Sequence, residues 1–301
     1  MPELPEVEVV RAGLAPAVVD ARVDAVDVLD ERALTRHPQS AADFVGRLEG
    51  RVITAAARRG KFLWLPLAGG ADAVIAHLGM SGQMLLRAPD ADAERHERIR
   101  LHIEHPQHGR LAIVFADQRT FGSLAVDELL DTPDAAPGGH GSPDARVPSQ
   151  VAHIARDALD PAFDEVAFTA SVRRRASAIK RILLDQTLVS GIGNIYADES
   201  LWAARIHPET EGRALSVRAV HRLLDEVRLV LQKALAEGGT SFDAQYVNVN
   251  GQAGYFTRYL RSYGRTGQPC DRCGTPIVRE RFMNRSSFFC RRCQRVQRIA
   301  S

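Results

Sequence analysis

The first residues of this 301-residue chain that could do chemistry are Pro2 and Glu3. With the initiator methionine trimmed, Pro2 would carry a free secondary amine, a nucleophile with a carboxylate directly beside it. An α-amino group titrates near ~8, against ~10.4 for lysine, so a useful fraction is unprotonated at neutral pH without deep burial. The same residues also suit a plainer task. Proline fits a first helical turn, Glu3, Glu6 and Glu8 suit the positive end of a helix dipole, and Leu4, Val7, Val10 and Leu14 form a helical apolar stripe.

The four cysteines are the second set. Cys270-x2-Cys273 is followed by sixteen residues and then by Cys290-x2-Cys293. Two thiolate pairs on two turns can close a tetrahedron around zinc, and four protein ligands leave no position for substrate, so the metal would be structural. Disulfides are the alternative, disfavoured in the reducing compartment expected here. Between the pairs, "PIVRERFMNRSSFF" predicts a hairpin whose tip presents Arg285 to a phosphate.

The remaining candidates say less when taken singly. Gly191-Ile192-Gly193 lacks the third glycine and the preceding strand of a dinucleotide site. Asn194 stands at a helix start, where free N–H groups make either an anion site or an ordinary cap. His77 and Met80 lie at one strand end, Arg119 and Phe121 at another, and each could be core filling or a paired surface group. If Met80, Arg119 and Phe121 converge on one surface, they form an apolar wedge beside an arginine, equipment for opening a base stack. His102, His105 and His108 have no carboxylate partner pattern and read as solvated surface histidines. There is no HExxH and no phosphate loop ending in Gly-Lys-Ser/Thr.

These residues need elements to hold them. "ARVDAVDVLD", "KFLWLPL", "DAVIAHLGM", "RIRLHIE" and "RLAIVFAD" alternate or run apolar over strand lengths and predict a mostly antiparallel β-sandwich after the first helix. Residues 131–150, dominated by Pro, Gly, Asp and Ser, predict a surface loop or linker. "FDEVAFTASVRRRASAIKRILLDQ", "NIYADESLWAARI" and "SVRAVHRLLDEVRLVLQKALAEGG" have helical spacing, the last stopped by Gly238-Gly239. From Arg258 to Ser301, eleven arginines face only Asp271 and Glu280, whereas the whole chain carries +2. A basic stretch that coincides with the cysteines points to nucleic acid rather than to a merely solvated face. Lysine is confined to Lys61, Lys180 and Lys233. No apolar run approaches the ~18 residues of a membrane span and the acidic start lacks the marks of a secretory signal, so a cytoplasmic monomer without a membrane partner is expected.

Together "PELPEVE", "RRGK", "HLGMSG", "RTFG", "GIGNIYADES", "GGTSF", "NGQAGYF", "YGRTGQPC", "CGTPIV" and "CRRC" resemble the bacterial formamidopyrimidine-DNA glycosylases, the 8-oxoguanine repair enzymes related to endonuclease VIII, over nearly the whole chain. The resemblance implies an α+β fold with an N-terminal helix and antiparallel β-sandwich (1–130), a loop or linker insertion (131–150), a helical helix-two-turn-helix domain (151–257) and a C-terminal β-hairpin zinc finger (258–301). DNA would lie in the cleft between domains. It also implies a bifunctional DNA glycosylase and abasic-site lyase that acts on double-stranded DNA containing oxidised purines and holds one structural Zn2+ through Cys270, Cys273, Cys290 and Cys293.

On the same resemblance Pro2 is the nucleophile, forming a Schiff base that leads to β,δ-elimination, and Glu3 is its acid/base partner. Lys61 and Arg285 complete the catalytic set near the lesion-flanking phosphates. His77, Met80, Arg119, Phe121, Lys180, Asn194 and Tyr196 bind DNA: Lys180 and Asn194 as phosphate anchors, Met80, Arg119 and Phe121 in the gap left by the flipped lesion, with Arg119 facing the orphaned cytosine. "TSFDAQYVNVNGQAGYF" would close on the flipped base. The chain departs from the pattern at Thr120, where many relatives carry arginine, in the long 131–149 insertion, and at "RDALDP". The endonuclease VIII branch, which prefers oxidised pyrimidines, usually begins Pro-Glu-Gly-Pro; Leu4 and the Met/Arg/Phe set favour the purine branch. A DNA-binding module without catalysis is the rival from another class, opposed by the intact Pro2-Glu3 pair, and a zinc hydrolase fails because the cysteines fill the metal.

Overall fold

The structure, a computed structural model, describes residues 2–240, 249 and 256–297. The chain divides into two units, Met1–His153 with Gly238–Tyr255, and Ile154–Glu237 with Phe256–Ser301. Among the described residues no helix is long and apolar enough to cross a membrane.

In the first unit, α1 (Leu4–Val18) begins with Pro5 in its first turn, and the Glu3 backbone N–H donates to Glu6 Oε2 at 2.9 Å, satisfying an amide that the helix cannot. The predicted stripe Leu4, Val7, Val10 and Leu14 is buried. There follow β1 (Arg22–Val28), α2 (Ala41–Leu48), β2 (Ala57–Arg59), β3 (Phe62–Pro66), β4 (Asp72–His77), β5 (Gln83–Arg87), β6 (Glu97–His105), β7 (Gly109–Ala116), β8 (Ser123–Asp131) and β9 (Arg146–Pro148). They form two antiparallel sheets, ordered β1-β6-β7-β5 and β2-β3-β4-β8-β9. Period-two alternation puts Ile99, Leu101 and Ile103 of β6 and Leu63 and Leu65 of β3 into one core with Val7 and Leu14 of α1 and Phe44 and Leu48 of α2. Burial of each large apolar side chain contributes about 1.5–3 kcal/mol, which sets α1 firmly against the sheets. A Cβ on Gly13 would come within 2.5 Å of Val249 Cγ2, so α1 accepts that side chain only at a glycine.

The stretch 131–150 does more than connect. Its Arg146–Pro148 pairs with β8 as the edge strand β9, and Arg58 and His140 exchange backbone hydrogen bonds of 2.9 and 2.8 Å. Gly139 lies so close to β2 that a Cβ would meet Arg58 O at 2.5 Å and the Trp64 ring at 2.3 Å. The glycines that read as linker composition are there for close approach. The histidine triplet also differs from expectation. His105 is buried with Nδ1 accepting from Gln107 N and His108 N at 3.0 and 3.2 Å, and His102 Nε2 lies 2.8 Å from Asp27 Oδ2.

The second unit holds α3 (Glu165–Arg173), α4 (Ile179–Leu183), α5 (Asn194–Ala203) and α6 (Val217–Ala236), then the hairpin β10 (Val278–Phe282) and β11 (Arg285–Phe289). The single run of helical spacing over 163–186 becomes two helices. Its middle is drawn off by the 210–212 segment, with Gly212 N donating to Ser177 O at 3.0 Å and Ile179 N to Thr210 O at 2.7 Å. Ser216 caps α6 through Ala219 N, and Gly238 and Gly239 stop the helix at φ 74° and 81°.

Candidate active site and nucleic-acid interface

Pro2 is buried and Glu3 is 2% exposed at the mouth of α1. Glu6, read from the sequence only as a helix-dipole acid, is the organiser of this turn. Its Oε2 holds the Glu3 amide, while its Oε1 accepts from Thr240 N at 2.7 Å and Thr240 Oγ1 at 2.8 Å. Two residues further on, Glu8 binds Arg11 at 2.7 Å and Arg58 at 2.9 Å. Burial pushes the Glu8 carboxyl up, but the Arg11 hydrogen bond and the Arg58 and Arg11 charges outweigh it and hold the group below the usual carboxylate range. The pair fixes α1 to β2, and the turn leaving β2, with Gly60 at φ 56°, carries Lys61.

β3 begins opposite the end of β4, which pairs Phe62 with His77 at a ring separation of 4.8 Å. His77 Nδ1 accepts from Gly79 N at 3.2 Å, so in the neutral ring the proton sits on Nε2 and is available to donate. Burial first, then the charges of Arg36 and Lys61, push the His77 pKa down to about 4.

The loops after β4 and β7 meet, as the wedge reading requires. Asp117, 1% exposed, accepts from Ser81 Oγ at 2.6 Å, Arg119 N at 3.1 Å and Gly122 N at 2.7 Å. A Cβ on Gly79 would lie 2.5 Å from Gly122 N, so the backbones touch. On these joined loops stand Met80, 36% exposed, and Phe121, 62% exposed, with Arg119 also at the surface. Large apolar side chains left in water beside an arginine are unusual for core filling. Thr120 takes φ 53°, a left-handed conformation costly for a β-branched residue. Asp117 was missed because one acid after an apolar strand carries no signal of its three partners.

In the second unit, Lys180 is 0% exposed and its ammonium is fully engaged. Nζ lies 2.7 Å from Asp198 Oδ1, 3.0 Å from Ser286 O and 2.8 Å from Ser287 Oγ. The predicted phosphate anchor is thus turned inward. Asn194, first residue of α5, donates from Nδ2 to the same Ser286 carbonyl at 3.1 Å. Lys180 and Asn194 therefore grip the residue next to Arg285, which stands half-buried at the hairpin tip. Tyr196 is fully buried, its ring 5.8 Å from that of Phe256. Glu199, unremarked in the sequence, accepts from Arg261 N, Ser262 N and Tyr263 N at 2.7–2.8 Å and fastens the approach to the finger. A cavity of about 600 Å³ at the tip is lined by Arg175, Ser177, Arg181, Asp185, Met283 and Arg285. Arg181 adds a cation there that no motif announced.

The Sγ atoms of Cys270, Cys273, Cys290 and Cys293 lie within 4.8 Å of one another, and no pair is bonded as a disulfide. Zn–S bonds of about 2.3 Å place tetrahedral sulfurs roughly 3.8 Å apart, so the four thiolates fit one structural zinc. Trp202 Nε1 donates to Cys270 Sγ at 3.4 Å, an outer contact suited to a thiolate. Ile277 and Phe288 are the small apolar core under this site. Of "TSFDAQYVNVNGQAGYF", all but Thr240, Val249 and Phe256 lies outside the described residues, as does Met1.

Three family models match the chain: the formamidopyrimidine-DNA glycosylase N-terminal domain over residues 1–124, the H2TH domain of the same enzymes over 154–245, and the zinc finger found in FPG and IleRS over 267–296. A formamidopyrimidine-DNA glycosylase of Leifsonia xyli is 63% identical over 297 residues, covering 98% of this chain and 100% of that protein. One from a Nocardioides species is 55% identical over 298 residues, covering 99% and 96%. Among solved structures, a mutant Lactococcus lactis FPG in complex with a Fapy-dG containing DNA superposes with a TM-score of 0.81 at 31% identity, covering 98% of this chain and 100% of that one. The complex of Lactococcus lactis Fpg with an abasic site containing DNA gives 0.80 at 31%, covering 97% and 99%.

Proposed function

This chain belongs to the formamidopyrimidine-DNA glycosylase family of DNA repair enzymes, and we propose that it both excises oxidised purines and cleaves the strand at the resulting abasic site. The observation that carries the reading is the Pro2-Glu3 pair at the head of α1, with Glu3 2% exposed and its amide fixed by Glu6.

After methionine removal the Pro2 amine attacks C1′ of the damaged nucleotide. The C1′–N bond breaks, the base leaves with a proton, and the sugar opens to an iminium. Glu3 manages the proton at the sugar oxygen. The iminium acidifies the C2′ protons; loss of one expels the 3′ phosphate, and a second elimination expels the 5′ phosphate. Lys61 and Arg285 serve the lesion-flanking phosphates, and neutral His77 donates through Nε2. Met80 and Phe121 fill the vacated stack while Arg119 engages the orphaned cytosine. We assign Lys180 and Asn194 to holding the Arg285 hairpin, and Tyr196 to the core behind it. The zinc supplies no step: Cys270, Cys273, Cys290 and Cys293 hold it to keep the hairpin shaped. Covalent trapping of the iminium by borohydride tests the reading.

A further inference from the structure

We infer that the concavity beside the first zinc knuckle, formed by Arg205, Arg222 and Arg272 against Trp202, is a phosphate-binding subsite. The cavity measures about 380 Å³, and Glu226 is the one carboxylate among its lining residues. Arg272 sits between two zinc ligands, its guanidinium 3.7 Å over the Trp202 ring. The stack fixes the plane of the fork. Its Nη2 bonds the Trp202 carbonyl and reaches Ala203 O at 3.4 Å, whereas Nη1 is sealed from solvent with no acceptor.

Arg222 Nε donates to Ala204 O at 3.2 Å, and Arg205 follows α5 at φ 56°. Capping of the α5 C-terminus explains those carbonyl contacts. It does not explain Arg205, and the sealed Nη1 of Arg272 takes no part in the hollow. Among the described residues none of the three arginines has a carboxylate within ion-pairing distance, though most arginines of this chain that do pair are held at 2.5–3.0 Å. Three unpaired guanidiniums around one hollow, one of them pre-set by stacking, match the oxygens of a phosphate. This hollow shares no lining residue with the cavity at Arg285. The phosphate can come from a DNA backbone or from a free phosphate.

The zinc-loaded full chain is titrated with inorganic phosphate at constant ionic strength while the indole N–H signal of Trp202, one of 2 tryptophans, is followed by NMR. A saturable shift is expected, weakened about tenfold by Arg205→Ala and by Arg222→Ala, as for loss of a charge-assisted contact. Borohydride trapping of the unsubstituted chain is run in parallel: its failure would tell against the proposed chemistry and leave the phosphate titration unaffected, which separates the two tests. A second titration uses an undamaged duplex. If the duplex produces the shift and a double variant carrying Arg205→Ala and Arg222→Ala flattens the salt dependence, the occupant is DNA backbone; if only phosphate produces it, the occupant is a free phosphate. No saturable shift with either probe, or a shift that neither variant weakens, overturns the assignment.

Discussion

Lys180 Nζ lies 2.7 Å from Asp198 Oδ1 with both side chains sealed from solvent, and the same ammonium holds Ser286 and Ser287 beside Arg285. Burial pushes the Asp198 carboxyl up, opposed by Lys180 and by the Phe288 N–H. Lys180→Met should therefore cost about 3–5 kcal/mol of stability, because it strands a buried carboxylate. DNA affinity should fall through displacement of Arg285, and Lys180→Met added to an Arg285→Ala background should leave the slope of log affinity against log salt where Arg285→Ala alone puts it. A direct Lys180 contact to phosphate would instead remove about 0.9 more from that slope, so the double variant decides between the two roles.

Asp117 should control the wedge without touching DNA. Arg119→Ala is expected to reduce preference for cytosine opposite the lesion by about 1–3 kcal/mol, the range of a bidentate base contact. Asp117→Asn, which weakens the holds on Ser81, Arg119 N and Gly122 N, should reduce it in the same direction. Excision rates against the four opposing bases measure this. Unchanged preference in Arg119→Ala would count against its assignment.

His77 should remain neutral far below the usual histidine range. Its folded pKa is about 4 against 6.5 unfolded, so the unfolded chain protonates first as pH falls. Stability from this group is intact above pH 6.5 and is lost progressively towards about 4. A ring-proton titration by NMR should find the low midpoint; an ordinary one would refute the burial argument.

Metal analysis should find one zinc per chain, and chelation should abolish DNA binding, because Ile277 and Phe288 are too small a core to hold the Arg285 hairpin alone. Active protein free of zinc would overturn this.

The long apolar patterns made α1, β3, β4, β6, β7 and α6 legible in the sequence. α2 was missed because eight residues give too little periodicity, and β9 because its glycines and prolines read as linker. The four cysteines were legible because a metal site of this kind depends on local spacing, and the fold gathers them; the roles of Pro2 and Glu3 rest on the resemblance and await their test. Glu6, Asp117, Asp198 and Glu199 were not, because their partners Thr240, Ser81, Lys180 and Ser262 are distant in sequence and found only by folding. The buried Lys180 shows the converse: a lysine in a DNA-binding segment looks like a phosphate anchor until its three protons are seen to be engaged within the fold.

The central claim is that the Pro2 amine is the nucleophile. Purified, methionine-trimmed protein is incubated with borohydride and a duplex containing 8-oxoguanine opposite cytosine. Reduction should fix the iminium as a stable protein–DNA adduct. A variant that retains Met1, or carries a short tag ahead of Pro2, has an amide in place of the amine; it should bind with normal affinity and salt dependence yet neither release the base nor trap. Trapping of the blocked variant at the normal rate, or no trapping of the trimmed protein on any oxidised base, would contradict the account.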